Sequence, residues 1–256
     1  MTLLKKRLGQ NILIDKNIIE KEIALAGDLE DKTVLEIGPG NGLLTKELAK
    51  HAKKVLAIEK DPEILEEAER NVDAENVKFI LGDAMEIEWP EFDKMISNIP
   101  YYISSGITFK LLEQKFQTAV LIYQKEFGER LVASPGRNCS RLSVNAQLRA
   151  EIELCGKVSR NCFKPKPKVD SVIVRMRPRR VRLPGIFDPL TKAMFSHKKK
   201  LLKNALTDSS KELGLEKKEA KEMFKELEQR AFEMSPQEIL ELAERVEETL
   251  RRKRQG

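Results

Sequence analysis

The stretch Thr33-Val34-Leu35-Glu36-Ile37-Gly38-Pro39-Gly40-Asn41-Gly42 decides the fold. Its first five residues form a short apolar run that stops at glycines, which marks a buried strand. The glycines permit positive φ and let the backbone approach a ligand closely. Leu43, Leu44, Leu48 and Ala49 then recur at helical spacing. Strand, glycine turn and helix together open a βαβ unit. Downstream, residues 55–58 form a second buried strand. Asp61-Pro62 then supplies an N-cap acid and a proline at the first helical position, starting a helix over 62–70. Further strands fall at 77–80, 94–97 and 119–123, with a late one at 172–174. Upstream, residues 16–27 carry Ile18, Ile19 and Ile23 at roughly helical spacing. Strands alternating with helices predict an α/β fold with a doubly wound, mostly parallel sheet. Right-handed crossovers then place ligand loops at the carboxyl ends of the strands. After Arg182-Leu183-Pro184-Gly185 the strand signal stops, and residues 188–250 read as helices. The expected domains are 1–182 and a small all-helical domain, 183–256.

The chain has 256 residues, 47 Lys and Arg, 41 Asp and Glu, and a formal net charge of +6. That length can bury a substantial core without staples. No apolar run approaches the roughly 20 residues that span a bilayer, so no membrane partner is expected. The N-terminus lacks a signal-peptide stretch, which points to the cytoplasm. Cys139, Cys155 and Cys162 are too few and too irregular for a disulfide framework or a zinc site, so no metal is expected. Residues 157–203 hold 15 basic and two acidic residues, a net +13, which leaves −7 for the rest. So lopsided a segment repels itself unless a polyanion binds it, which points to nucleic acid.

Glu59 closes the second strand, 19 residues after Gly40. An acid there accepts hydrogen bonds from ribose hydroxyls in dinucleotide and adenosine sites. Pyrophosphate binding favours G-x-G-x-x-G, whereas this loop reads G-P-G-N-G and follows Glu36. A carboxylate at that point suits the cationic amino group of a methionine moiety, which favours S-adenosylmethionine over a nicotinamide dinucleotide. The third strand ends in Gly82-Asp83-Ala84, whose acid can accept from an adenine amino group.

Asn98-Ile99-Pro100-Tyr101 follows the fourth strand. The exocyclic nitrogen of adenine is a poor nucleophile, because its lone pair is delocalised into the ring. The Asn98 side-chain oxygen and a carbonyl preceding or belonging to Pro100 can accept its two N–H bonds. That geometry favours a more tetrahedral nitrogen. Tyr101 can stack on an extruded base. No strong general base is required, since the methylated, cationic nitrogen sheds its proton readily, and positioning supplies most of the rate.

Taken in order, these motifs resemble the ribosomal RNA adenine dimethyltransferase family across essentially the whole chain. Leu8-Gly9-Gln10-Asn11-Ile12-Leu13 resembles the family's N-terminal cofactor motif, with Ile12 where Phe is usual. Gln124-Lys125-Glu126, Arg141-Leu142-Ser143-Val144, 163–171 and 195–204 match later family segments. Asn138-Cys139-Ser140 departs from a more usual Tyr-Gly pair. The resemblance implies a Rossmann-like methyltransferase sheet and an S-adenosylmethionine-dependent rRNA adenine N6,N6-dimethyltransferase. Its targets would be two adjacent adenosines near the 3′ end of small-subunit rRNA, methylated during ribosome biogenesis by a protein that is a monomer off the ribosome. It implies that Asn11 and Leu13 line the cofactor site, Gly38 meets the methionine part and Glu59 the ribose. Asp83 and Ala84 would meet the adenine, and Asn98 both cofactor and target nitrogen. Asn98, Pro100 and Tyr101 are the catalytic candidates. Lys164, Lys166, Lys168, Lys198, Lys199, Lys200 and Lys203 are the RNA-binding candidates, with Lys198–Lys200 beginning a helix of the second domain. Two rivals stay open: an assembly factor whose binding outweighs its chemistry, and a relative that modifies large-subunit rRNA.

Overall fold

The computed structural model describes residues 11–255. Leu8, Gly9 and Gln10 of the N-terminal motif lie outside the described residues. In chain order the elements are β1 (Ile12–Leu13), α1 (Lys16–Ala26), β2 (Thr33–Ile37), α2 (Leu43–Ala49), β3 (Lys54–Glu59), α3 (Pro62–Asn71), β4 (Val77–Leu81), β5 (Lys94–Asn98), α4 (Ser104–Leu112), β6 (Thr118–Gln124), α5 (Lys125–Leu131), α6 (Arg141–Arg149), β7 (Ala150–Val158), β8 (Phe163–Lys164), β9 (Ser171–Pro178), α7 (Phe187–Ser196), α8 (Leu202–Asp208), α9 (Lys217–Met223) and α10 (Pro236–Gln255). Among the described residues no helix is long and apolar enough to cross a membrane.

The chain divides into two compact units, residues 11–129 with 150–178 and residues 130–149 with 179–255. The first unit holds a seven-stranded sheet in the order β4-β3-β2-β5-β6-β9-β7. Its first five strands are parallel. β9 and β7 run antiparallel at one side, which makes the sheet mostly parallel as expected. β2 and β3 are buried along nearly their whole length, as strands covered on both faces must be. From β2 the chain winds outward to β3 and β4, then returns to β5 on the other side of β2. That reversal is a topological switch point, where such sheets open a crevice at their carboxyl ends. Helix α1 is capped by Asp15, whose side chain accepts from Asn17 N at 3.0 Å, and α3 is capped by Asp61 with Pro62 behind it. Each such cap is worth about 1 kcal/mol. α1 lays Ile19 and Ala26 against Val34, Ile96, Val120 and Ile122 of the sheet.

A separate antiparallel pair, Ile12↔Lys164 and Leu13↔Phe163, ties the N-terminal segment to the lysine-proline segment. Neither β1 nor β8 is legible as a strand in the sequence, since each has two residues. β7 is also unannounced, because it is an edge strand with exposed positions scattered along it and shows no apolar run.

The second unit is helical. Its core joins Phe187, Leu190 and Met194 of α7, Leu202 and Leu206 of α8, and Ile239, Leu242 and Val246 of α10. The sequence puts the boundary at 182, whereas the units part between Pro178 and Arg179. Residues 130–149 also join the second unit, because Cys139, Val144 and Leu148 pack into its helical core. Arg149 adds an ion pair to Asp188 at 2.7 Å. Lys198–Lys200 occupy the turn between α7 and α8 and do not begin a helix; α8 starts at Leu202.

Candidate functional site

The glycine loop after β2 takes the left-handed conformation at Gly38 (φ 73°), Gly40 (φ 58°) and Gly42 (φ 82°). A Cβ on Gly38 would come within 3.3 Å of the Pro100 ring, and one on Gly40 within 3.4 Å of Ile12. The loop is therefore seated between the N-terminal strand and the segment after β5. Pairing of β2 with β5 ends at Leu35↔Met95. Beyond it the Ser97 hydroxyl takes over, donating to Ile37 O at 2.6 Å and accepting from Ile37 N at 3.2 Å. The result is a cleft, partly open to solvent, lined by Asn11, Leu13, Glu36, Gly38, Asn98, Pro100 and Tyr101 among others. Six of the expected site residues thus meet in one cleft.

Glu36 is 1% exposed and its Oε2 has no hydrogen-bond partner. Burial pushes its pKa up to about 8; the nearby Thr45 hydroxyl offsets part of that rise, and Glu59 adds to it. No hydrogen bond of normal geometry joins Thr45 to Glu36, since Thr45 Oγ1 is itself without a partner. Glu59 is also buried. Its Oε1 accepts from Lys60 N at 2.8 Å and Asp61 N at 3.0 Å, while Oε2 is unpartnered. Burial raises the Glu59 pKa, and these two bonds oppose the rise. Buried, unpartnered carboxylate oxygens cost free energy unless a ligand supplies donors. An ammonium group at Glu36 and ribose hydroxyls at Glu59 supply donors of the right kind, so these residues fit S-adenosylmethionine.

Glu59, Asp83 and Ala84 sit at the carboxyl ends of β3 and β4, beside the cleft and not among its lining residues. Asp83 is more engaged than its sequence context implies. Its Oδ2 pairs with Lys60 Nζ at 2.6 Å, and Oδ1 accepts from Met85 N at 2.8 Å. The Lys60 bond holds the Asp83 carboxyl below its ordinary range. The Ala84 carbonyl accepts from Trp89 Nε1 at 2.8 Å and Lys110 Nζ at 2.9 Å. Buried Trp89 therefore helps fix the loop that carries Asp83 and Ala84.

At the end of β5 the Asn98 amide nitrogen donates to the Asn11 carbonyl at 2.9 Å. A carbonyl can only accept, so this contact identifies the amide nitrogen and leaves Asn98 Oδ1 as the acceptor for another ligand. The Pro100 carbonyl accepts from Ile103 N at 3.0 Å, which uses one of its two lone pairs. Tyr101 shares a 2.6 Å hydrogen bond between its hydroxyl and buried Ser171. Burial raises the Tyr101 pKa and the Ser171 bond opposes the rise. Sequence reasoning assigned no role to Ser171, Ser97 or Lys110. Only Ser171 lay in a quoted motif, and its partner is 70 residues away.

The expected RNA-contacting lysines divide between the units. Lys164, Lys166 and Lys168 are exposed on the first. On the second, Lys198 Nζ donates to Arg137 O at 2.7 Å and lies 5.6 Å from the Phe232 ring centroid. Lys200 pairs with Asp208 and Lys203 with Glu228, each at 2.8 Å. Lys199 is exposed.

Comparison with known proteins adds the following. The family profile described as "Ribosomal RNA adenine dimethylase" matches residues 1–247. The probable ribosomal RNA small subunit methyltransferase A of Thermococcus gammatolerans is 47% identical over 245 residues, covering 93% of this chain and 87% of that one. Its counterpart in Methanothermobacter thermautotrophicus is 42% identical, covering 96% and 92%. Among solved structures, a dimethyladenosine transferase from Plasmodium falciparum superposes with a TM-score of 0.77 at 32% identity, covering 90% and 95%. The 23S rRNA methyltransferase ErmE does so with a TM-score of 0.68 at 29% identity, covering 92% and 99%.

Proposed function

The chain belongs to the ribosomal RNA adenine dimethylase family, an S-adenosylmethionine-dependent methyltransferase, and from that premise we propose that it dimethylates N6 of two adjacent adenosines near the 3′ end of small-subunit rRNA during ribosome biogenesis. One observation carries the site assignment: the Asn11 carbonyl takes the Asn98 amide nitrogen, which leaves the amide oxygen as an acceptor, in the cleft that also holds the unpartnered Oε2 of Glu36. When bound, S-adenosylmethionine supplies an electrophilic methyl group. Glu36 takes the ammonium of its methionine part beside Gly38. Glu59 takes the ribose, and Asp83 and Ala84 meet the adenine, Asp83 through lone pairs not used by Lys60 and Met85. Asn11 and Leu13 close the N-terminal side.

Asn98 Oδ1 accepts one N–H of the target N6, and the remaining lone pair of the Pro100 carbonyl accepts the other. Tyr101, anchored by Ser171, stacks on the extruded base. Held by Asn98 Oδ1 and the Pro100 carbonyl, N6 would receive the methyl group that bound S-adenosylmethionine would supply, and its proton would be lost to solvent. Lys164, Lys166 and Lys168 on the first unit, and Lys198, Lys199, Lys200 and Lys203 on the second, contact phosphates. The enzyme works in the cytoplasm as a monomer off the ribosome.

The test is to incubate unmethylated small subunits with labelled cofactor and map the modified bases by primer extension. Wild type should mark two adjacent adenosines. Asn98→Ala should slow transfer by about 10²-fold or more, with calorimetric affinity for S-adenosylmethionine within a few-fold of wild type. Full activity in Asn98→Ala removes Asn98 from the chemistry; small subunits left unlabelled, while large subunits incubated in parallel take up label, overturn the substrate assignment.

A further inference from the structure

The segment 163–171 carries exposed Lys164, Lys166 and Lys168, and both of its ends are tied to the cleft. At its start β8 pairs with β1, Ile12 opposite Lys164 and Leu13 opposite Phe163, and Ile14 N donates to Cys162 O at 2.8 Å. β1 in turn reaches the cofactor loop and the end of β5. Ile12 lies 3.4 Å from where a Cβ on Gly40 would stand, and the Asn11 carbonyl accepts from the Asn98 amide nitrogen at 2.9 Å. At its end Ser171 shares a 2.6 Å hydrogen bond with the Tyr101 hydroxyl. Asn98 and Tyr101 are therefore held from the two ends of one lysine-bearing segment.

The anchors of this arrangement are firm and its middle is slight. Leu13 and Phe163 are buried and belong to the core under the sheet. Asp15 caps α1, and its Oδ2 accepts from the Cys162 thiol at 3.3 Å. Asp170 accepts from Arg160 N at 3.0 Å and pairs with Lys157 at 2.8 Å. Between these anchors β1 and β8 have two residues each. A two-stranded pair of that size is marginal in water by itself, so its order depends on what it lies against. β1 lies against the glycine loop and Asn98, whereas Lys164 of β8 is exposed. A ligand that steadies one strand lowers the ordering cost for a ligand that touches the other. Such a coupling is reciprocal.

We propose that the β1–β8 pair couples the two substrates: phosphate contact at the lysine-proline segment steadies Asn11–Leu13 against the cofactor, and bound cofactor steadies the lysine-proline segment for RNA. The proposal rests on the reading of Asn11 and Leu13 as cofactor-lining residues and of Lys164, Lys166 and Lys168 as phosphate contacts. The cofactor then binds most tightly where RNA is already engaged, which directs the methyl donor to enzyme that holds its acceptor.

The experiment is equilibrium dialysis of labelled S-adenosylhomocysteine, which lacks the transferable methyl group, against the full chain alone and with saturating unmethylated small ribosomal subunits. Wild type should bind the probe about fivefold or more tightly with subunits present. Ile14 is exposed and outside the cleft lining, and its N–H is the donor to Cys162 O. Ile14→Pro removes that N–H and should bring the factor close to one, whereas Ile14→Ala keeps the N–H and should keep the factor. A second measurement needs no variant. Hydrogen exchange of residues 162–164 in wild type should slow when S-adenosylhomocysteine is added without RNA, although those residues do not line the cleft. Equal affinity with and without subunits, unchanged exchange at 162–164, or wild-type coupling in Ile14→Pro overturns the proposal and leaves the assigned function standing. If replacing Lys164, Lys166 and Lys168 together by Gln leaves subunit binding at wild-type strength, the segment is no RNA contact. If wild type binds no S-adenosylhomocysteine, the cofactor reading fails. Either of these last results takes the proposal with it.

Discussion

Tyr101 has two chemically separate ends: a ring facing the cleft and a hydroxyl tied to Ser171. The tie restricts the attitude of the ring, which the proposed stacking on a base would need. Ser171→Ala should lower kcat by about five- to twentyfold, equivalent to about 1–2 kcal/mol of lost positioning. Calorimetric affinity for S-adenosylmethionine should stay unchanged. Tyr101→Phe should cost a similar factor, and the double variant no more than either alone. Additive losses would mean that the two groups act independently. The motif containing Tyr101 was legible in the sequence because its members are consecutive and their chemistry suits one task. The bond to Ser171 was not, because nothing local announces a partner 70 residues away. The same limit hid the pairing of Lys60 with Asp83.

At the scale of elements, the loop from β2 to α2 works because its backbone does what only glycine does cheaply. Gly38 needs positive φ and also lies against Pro100, so a methyl group there is strained twice. Gly38→Ala should destabilise the protein by about 1–3 kcal/mol and weaken S-adenosylmethionine binding, measured by urea denaturation and calorimetry. A variant of wild-type stability and affinity would show that the loop has another route past Pro100. Parallel strands with glycine or acidic ends were legible because burial on both faces writes a continuous apolar run. β7 was not legible, being half-exposed at the sheet edge. Nor was the membership of α6, whose apolar face says only that it is covered and not by what.

For the whole molecule, a formal charge of +6 conceals a division: the basic block spans both units while the remainder is acidic. Exposed ion pairs such as Lys200–Asp208 and Lys203–Glu228 contribute little stability, yet each carboxylate offsets the charge its lysine presents. Reversing Lys164, Lys166 and Lys168 to Glu should therefore flatten the salt dependence of RNA binding by up to about three units of slope. Reversing Lys200 and Lys203 should flatten it less. An unchanged slope after the first set would take the lysine-proline segment out of the RNA interface. The topology has a consequence for a chain made from its N-terminus. β7 leaves the ribosome before β9, yet β9 must insert between β6 and β7. The first unit lacks the strand between β6 and β7 until Pro178 has been made, and α6 emerges with Val144 and Leu148 uncovered, waiting for partners on α7, α8 and α10 that follow it by about 40 to 100 residues. The nascent chain therefore carries an interrupted sheet edge first and a bare apolar helix for longer.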